Sequence, residues 1–173
     1  MTDTVSSVRA DRLELIPSSP ALARAAHEDR VALGELLNCA ISNRWPPELI
    51  AGELEPAADL VCDQPDLGHW SIWYAIDRAE HLLVGNVRFP SPPDERGVVE
   101  IRYAMADDER GKGYATEAVG AMSDWALGPG GAAAIRARVP VDNASAIRVL
   151  EKAGFTRARA HDGGDELIYE RVN

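Results

Sequence analysis

Cysteine is nearly absent from this chain. Cys39 and Cys62 are the only two in 173 residues, too few and too isolated for a disulfide framework or a zinc site. Histidine is scarce as well. His27, His69, His81 and His161 show no metal-ligand spacing, so no metal is expected. No run approaches the ~18 apolar residues of a membrane span. The segment Met1 to Ala10 lacks the apolar core of a signal peptide. A cytoplasmic protein with no membrane partner is the expectation. Basic charge is also short: the net charge is −10, which argues against nucleic acid as a partner. The deficit is uneven. Residues 1–80 carry 14 acids and 6 bases, and residues 81–173 carry 14 and 12. Glu48, Glu53, Glu55, Asp59, Asp63 and Asp66 follow one another with no base between them. They read either as a solvated helix face or as a wall that draws in a cation.

What is present has the size and pattern of one domain. Residues 1–8 are small and polar and read as a flexible tail before a domain spanning 9–173. Arg12 to Pro17 alternates apolar with polar and reads as the first strand. Ser18 or Ser19 can cap a helix over Ala21–Leu37, with Pro20 in its first turn. After a connection from Asn38 to Trp45, Pro46-Pro47 opens a second helical stretch that fades near Cys62. Asp63 to Gly68 is a turn. His69–Asp77 and Leu82–Phe89 are paired strands, with Gly85 marking a bulge. Pro90 to Gly97 is a loop, and Val98–Met105 reads as the central strand. A helix then runs to about Leu127, with Ala115, Ala118, Val119, Met122 and Ala126 on one face. Ala134–Val139 is a strand, Asp142 or Asn143 caps a last helix to Ala153, and Phe155 begins another strand. Asp162-Gly163-Gly164 turns the chain into a closing strand, Glu166–Val172. The fold class is α/β: a mixed, mostly antiparallel sheet of about six to seven strands with about four helices.

Between central strand and helix lies Glu109-Arg110-Gly111-Lys112-Gly113-Tyr114-Ala115-Thr116-Glu117-Ala118. Two glycines permit a tight turn and close approach of a ligand to the main chain. The first helix amides have no intrahelical partners and sit at the positive end of the helix dipole. Such a turn suits a phosphate or diphosphate, and Arg110 and Lys112 add positive charge. The spacing is neither the three-glycine dinucleotide fingerprint nor the P-loop. A plain strand-to-helix turn, with glycines for geometry alone, fits it too.

Arg110-x-x-Gly113-x-Ala115 resembles the Arg/Gln-x-x-Gly-x-Gly/Ala signature of the GCN5-related N-acetyltransferases (GNAT). Downstream, Asn143-Ala144-Ser145-Ala146-Ile147-Arg148-Val149-Leu150-Glu151-Lys152-Ala153-Gly154-Phe155 resembles a second segment of the same family at its usual separation. Ala10 to Leu15 resembles the opening strand of the branch that contains the ribosomal-protein N-terminal acetyltransferases. The resemblance covers about residues 9–172. It implies acetyl-coenzyme A as cosubstrate, its diphosphate on the amides of Gly111, Lys112, Gly113, Tyr114, Ala115 and Thr116 beside Arg110. It implies that the pantetheine arm pairs with Tyr103, Ala104 and Met105 like an added strand, with Asn143 contacting it from the facing helix or serving only as a helix cap. An amide near Met105 would polarise the thioester carbonyl. The acceptor would be a primary amine, on a protein N-terminus or a small molecule, acetylated directly in a ternary complex. A homodimer is allowed.

Glu100 is the expected base, because several family members carry a catalytic glutamate there. A structural pairing with Arg102 is the other reading. Asp107, Asp108 and Glu109 read as a solvated turn. For the leaving thiolate the family often uses a tyrosine where this chain has Leu150. Ser145 is the serine nearest the position that serves in the ribosomal-protein branch, and Tyr103 and Tyr114 are alternatives. Trp45, Trp70, Trp73 and Tyr74 read as core or as the lining of an acceptor groove. A binding module of the same fold that senses acetyl-coenzyme A without transfer also fits the missing tyrosine.

Overall fold

In the computed structural model, which describes residues 6–158 and 164–173, β1 (Val8–Arg9) and β2 (Leu13–Pro17) form a short antiparallel pair. Val8, expected in a loose tail, lies opposite Leu15. The single helix expected over Ala21–Leu37 is two, α1 (Pro20–Glu28) and α2 (Arg30–Leu37). Asp29 breaks them apart: it takes an extended conformation, and its carboxylate accepts from the amides of Val31 and Ala32. That side-chain cap competes with helix continuation. Ser19 caps α1 through the Leu22 amide. β3 (Ala40–Ile41) lies within the expected connection. The second helical stretch also divides, into α3 (Glu48–Ala51) and α4 (Leu54–Asp63), at Gly52. The expected turn is a 3-10 segment, Pro65–Trp70.

β4 (Ile72–Asp77) and β5 (Leu82–Arg88) pair antiparallel, and β4 pairs β2 on its other edge. The register slips opposite Ala75/Ile76, so the bulge stands beside Gly85 as expected. A Cβ on Gly85 would come within 2.6 Å of the Ala104 carbonyl oxygen and 2.8 Å of the Met105 Cα. Only glycine lets the next strand pass this close.

That next strand is divided. β6 (Val98–Glu100) pairs in parallel with β8 (Ala134–Pro140), whereas β7 (Arg102–Met105) pairs antiparallel with β5. The expected central strand therefore belongs to two sheets. One runs β1-β2-β4-β5 with β3 and β7 sharing the far edge of β5; the other contains β6, β8, β10 (Glu166–Val172) and β9 (Thr156–Arg157). The tip expected at Asp162-Gly163 lies outside the described residues.

Helix α5 (Tyr114–Leu127) covers one face of the first sheet. Ala118, Val119, Met122, Trp125 and Ala126 are buried against Trp70, Trp73, Val87, Phe89, Val99 and Ile101. Each large side chain fully buried there contributes about 1.5–3 kcal/mol. Helix α6 (Ala144–Lys152) adds Leu150 to this cluster. A second cluster on the other face joins α1–α4 to Ile72, Tyr74, Ile76 and Leu83, and Trp45 lies in it. The four aromatic residues are thus core. Six α-helices appear among the described residues, because Asp29 and Gly52 split what periodicity alone reads as continuous.

Candidate active site

The division of residues 98–105 opens a gap. The Ile101 amide donates to the Arg136 carbonyl in β8, and the Ala106 amide donates to the Val84 carbonyl in β5. Main-chain groups alternate sides along a strand. Residues 102, 104 and 106 therefore face β5, while the amides and carbonyls of Tyr103 and Met105 face away from it. No described strand pairs that edge. The open edge leads through a 3-10 segment, Asp107–Glu109, into the glycine-rich turn.

Gly111 and Gly113 both hold left-handed φ values, 78° and 83°. Gly113 is the cap of α5 and supplies no side chain to its amides. The first amides of α5 are left for a ligand. Arg110 and Lys112 flank them, but neither is a free cation: Arg110 pairs with Asp107 at 2.8 Å and Lys112 with Glu109 at 2.7 Å. This corrects the reading of three solvated acids. Asp107 and Asp108 are exposed, the Asp108 carboxylate accepting from the Ser42 hydroxyl, but Glu109 is buried. The Arg110 pair is exposed and worth about 0–1 kcal/mol, so an anion can displace the carboxylate at little cost.

Behind the turn is a set of contacts that motif reading overlooked. The Arg12 guanidinium donates to the Glu117 carboxylate at 2.9 Å and to the Lys112 carbonyl at 2.8 Å, and lies 4.7 Å from the centre of the Tyr114 ring. Glu117 also accepts from the amides of Arg12 and Leu13. The Tyr114 hydroxyl donates to Asp77 at 2.6 Å, and that bond, together with burial, pushes its pKa up to about 12. The ring is thereby turned inward and buried. Burial raises the pKa of Asp77, but the Tyr114 hydroxyl, the amides of Glu80 and Ala79, and Arg12 outweigh it and hold the carboxyl low. Glu117 is held low in the same way, against burial, by the amides of Arg12 and Leu13 and by the Arg12 side chain. The stabilisation from both is full above the unfolded values, near ~3.9 and ~4.3, and is lost as pH falls through the folded values. Denaturant midpoints should therefore drop from about pH 5 downward. The pair Asp77→Asn and Glu117→Gln should flatten that decline; an unchanged slope would assign it to other groups.

Glu100 is half-buried on β6. Its carboxylate accepts from Arg102 at 2.9 Å and lies 3.7 Å from Arg138 of β8. Arg102 also meets Glu53, at 2.8 Å, and Glu53 bonds Arg88 of β5. Of the acids of residues 46–67, Glu53 is drawn into this ion-paired face, while Glu48, Glu55, Asp59, Asp63 and Asp66 are exposed. Asn86 shares the face of Arg88 on β5, directly opposite Ala104. It is fully buried, and neither amide atom has a partner among the described residues. Each such group costs about 1–3 kcal/mol. Asn86→Val should therefore raise the thermal midpoint, by roughly 2–4 °C for each kcal/mol recovered, read by thermal denaturation; a lower midpoint would show that the amide is satisfied.

The start of α6 closes the gap. Asn143 caps it, its side-chain oxygen accepting from the Ala146 amide at 3.1 Å. Ser145 is exposed in the first turn, and Leu150 is buried. The Tyr103 hydroxyl crosses from β7 and donates to the Ala146 carbonyl at 3.3 Å. The structure thus brings together Tyr103, Ala104, Met105, the Gly111–Thr116 turn and the α6 cap, with Glu100 at the root of the gap. Arg12, Glu53, Asp77, Arg88 and Glu117 were not singled out by motif, because their roles come from pairings across 35 to 105 positions. Glu117 had a local signal as an acid in a first helical turn, and Glu53 only as one of a run of acids.

A strand split between two sheets, an edge that no described strand pairs and a helix start with no side-chain cap leave main-chain groups free along one continuous gap. The model of the acetyltransferase (GNAT) domain matches residues 19–156. The N-acetyltransferase YjdG of Bacillus subtilis (strain 168), itself uncharacterized, is 29% identical over 136 residues, covering 79% of this chain and 80% of that protein. A coenzyme A complex of RimL, a ribosomal L7/L12 alpha-N-protein acetyltransferase, has a TM-score of 0.67 at 16% identity, covering 96% of this chain and 98% of that one. A chimera of the spermidine N-acetyltransferase SpeG from Vibrio cholerae and hSSAT has a TM-score of 0.67 at 16% identity, covering 94% and 96%. The chain belongs to the GNAT acetyltransferase family and is an N-acetyltransferase. No helix among the described residues is long and apolar enough to cross a membrane.

Proposed function

We propose that this chain transfers an acetyl group from acetyl-coenzyme A directly to a primary amine, in a ternary complex. The observation that carries the reading is the continuity of two unpartnered backbone surfaces. The edge of β7 at Tyr103 and Met105 runs into the uncapped start of α5 at Gly113 to Thr116. Amides of the turn, with Arg110 and Lys112 beside them, would hold the diphosphate, and the β7 edge would pair with the amide-bearing pantetheine arm. The positive φ of Gly111 and Gly113 and the open space where a Gly111 Cβ would stand fit that use. The Met105 amide would stabilise oxygen charge on the thioester carbonyl. Asn143 borders the arm and caps α6 at once.

Direct transfer is favoured by the cysteines. Burial pushes the Cys39 thiol up to about 11, where the nucleophilic thiolate is rare at neutral pH. No cysteine lies in the gap. Glu100 would take the proton of the incoming ammonium, from the face of the sheet that also carries Arg102 and Ala104. An α-amino group, near ~7.7–8.0, needs less help than a lysine near ~10.4. RimL acts on a ribosomal protein and SpeG on spermidine, and a protein N-terminus or a small amine is the acceptor class proposed here.

Thermal unfolding with acetyl-coenzyme A tests the donor, since a ligand of the folded state must raise the midpoint. Thiol release over a panel of amines and N-terminal peptides, with both substrates varied, tests the transfer. Intersecting initial-rate lines are expected. Parallel lines would overturn direct transfer, and binding without release from any amine would favour a sensor.

A further inference from the structure

The amine must reach Glu100, and the charges around that carboxylate decide what kind of amine can. Five side chains alternate in sign across one face of the sheet: Arg138 of β8, Glu100 of β6, Arg102 of β7, Glu53 at the start of α4 and Arg88 of β5. Three are cations and two are anions, in a chain whose net charge is −10. Arg136, on the same face, is taken by Glu170 at 2.7 Å. Arg138 is the least engaged of the arginines. Its Nε lies 3.7 Å from Glu100, beyond hydrogen-bond length, and more than half of its side chain is exposed. Among the described residues no other carboxylate pairs with it, Glu166 on the same face of β10 included.

An ammonium entering here meets guanidinium groups on both sides of Glu100. Once Glu100 takes its proton, three cations of the ladder face Glu53 alone. A polycation would add to that repulsion. An acceptor with its own carboxylate relieves it, and the planar fork of Arg138 suits a carboxylate. Hydrogen bonding points the same way. Asn86, directly opposite Ala104, is fully buried with neither amide atom partnered, and the Nε of Arg88, opposite Arg102, has no partner either. Those atoms leave three N–H groups unmet against one oxygen. They call for oxygen, which a polyamine does not carry and a carboxylate does.

We propose that the acceptor is an amine that also carries a carboxylate, and that Arg138 holds this carboxylate beside Glu100. The inference rests on the reading of Glu100 as the group that receives the amine. Polyamines are poor acceptors on this account. Two sources share the chemistry: a free amino acid, through its own carboxylate, and a peptide, through an acidic side chain next to its N-terminus. The carboxylate is recognised and takes no part in the bonds made and broken. Arg138 is thus a specificity residue. Glu53, expected in a run of acids that could draw in a cation, here balances two arginines instead.

Matched acceptors at low salt test it. Glycine is compared with glycinamide, each rate scaled to its neutral-amine fraction, and a peptide with aspartate second is compared with one that has asparagine second. In at least one pair, kcat/KM for the carboxylate member should be about 10- to 100-fold higher. A gap in the first pair alone assigns a free amino acid; a gap in the second alone assigns a peptide N-terminus. The preference should shrink as ionic strength rises, because Arg138 is exposed. Arg138→Gln should bring the ratio toward one, and Arg138→Lys should restore part of it. Melting curves show whether the variants fold, and the parent's ratios decide the matter if they do not. Ratios of one in both pairs, or spermidine as the faster acceptor, overturn the anionic acceptor, and a ratio that survives Arg138→Gln overturns the role of Arg138. The acetyl-coenzyme A site stands in each of these cases, because the parent still releases thiol. If the parent binds no acetyl-coenzyme A, both readings fall together.

Discussion

Gly113→Val is expected to abolish acetyl-coenzyme A binding in a protein that still folds. Gly113 holds φ at 83°, a conformation that costs an ordinary L-residue roughly 1–2 kcal/mol and a β-branched one more. Valine relieves that cost by rotating the peptide toward negative φ. The rotation re-aims the cap and the first amides of α5, the groups assigned to the diphosphate. The new Cβ would also stand 3.3 Å from the Arg12 guanidinium, pressing on the contact that ties the turn to the first strands. Charge-assisted hydrogen bonds contribute about 1.5–3 kcal/mol each, so losing two or three lowers affinity by on the order of a thousandfold or more. The fold is spared, because Gly113 is exposed and outside the core clusters. Calorimetric titration beside a melting curve reads both halves. Parental affinity in the variant would mean that the diphosphate rests elsewhere.

Glu100→Gln is expected to lower kcat about 10²- to 10⁴-fold at neutral pH and below, the usual range for losing a positioned base. The deficit should shrink as pH rises. A base is needed only while the amine is protonated, and the neutral fraction grows toward the amine's own pKa, near ~7.7–8.0 for an α-amine. Glutamine leaves Arg102 with Glu53, at 2.8 Å, but removes the carboxylate that Arg138 faces, so a melting curve must accompany the kinetics. The substituted side chain is also on a sheet face, away from the main-chain edge that would hold pantetheine. Affinity for acetyl-coenzyme A should therefore be unchanged. A parent-to-variant ratio of one at every pH would leave Glu100 as a purely structural partner of Arg102 and Arg138.

The elements that were legible share one property: their signal is local. Ile135, Ala137 and Val139 alternate with Arg136 and Arg138, and the strand buries the first three and exposes the arginines. The stripe from Ala118 to Ala126 is one face of α5. Where a local signal had two readings, the sequence could not choose. Asp29 and Gly52 fall inside stretches that periodicity reads as continuous helix, and each marks a helix end in the structure. Asp107 to Glu109 looked like a solvated acidic run, yet Glu109 is buried against Lys112 and Asp108 is bound to Ser42, 66 positions away.

By itself the sequence determined the α/β class, the order of most strands and helices, the glycine turn and the family, because periodicity, caps and motif spacing are written between neighbours. Only the tertiary structure decided that residues 98–105 divide between two sheets and turn Tyr103 and Met105 to an open edge. It also decided that Arg110 and Lys112 are ion-paired, and that Arg12, Glu117, Tyr114 and Asp77 lock the turn in place. Those outcomes depend on which distant strands compete for one stretch of backbone and which charges meet across the sheet. Such competition is settled by packing, and no window along the chain contains it.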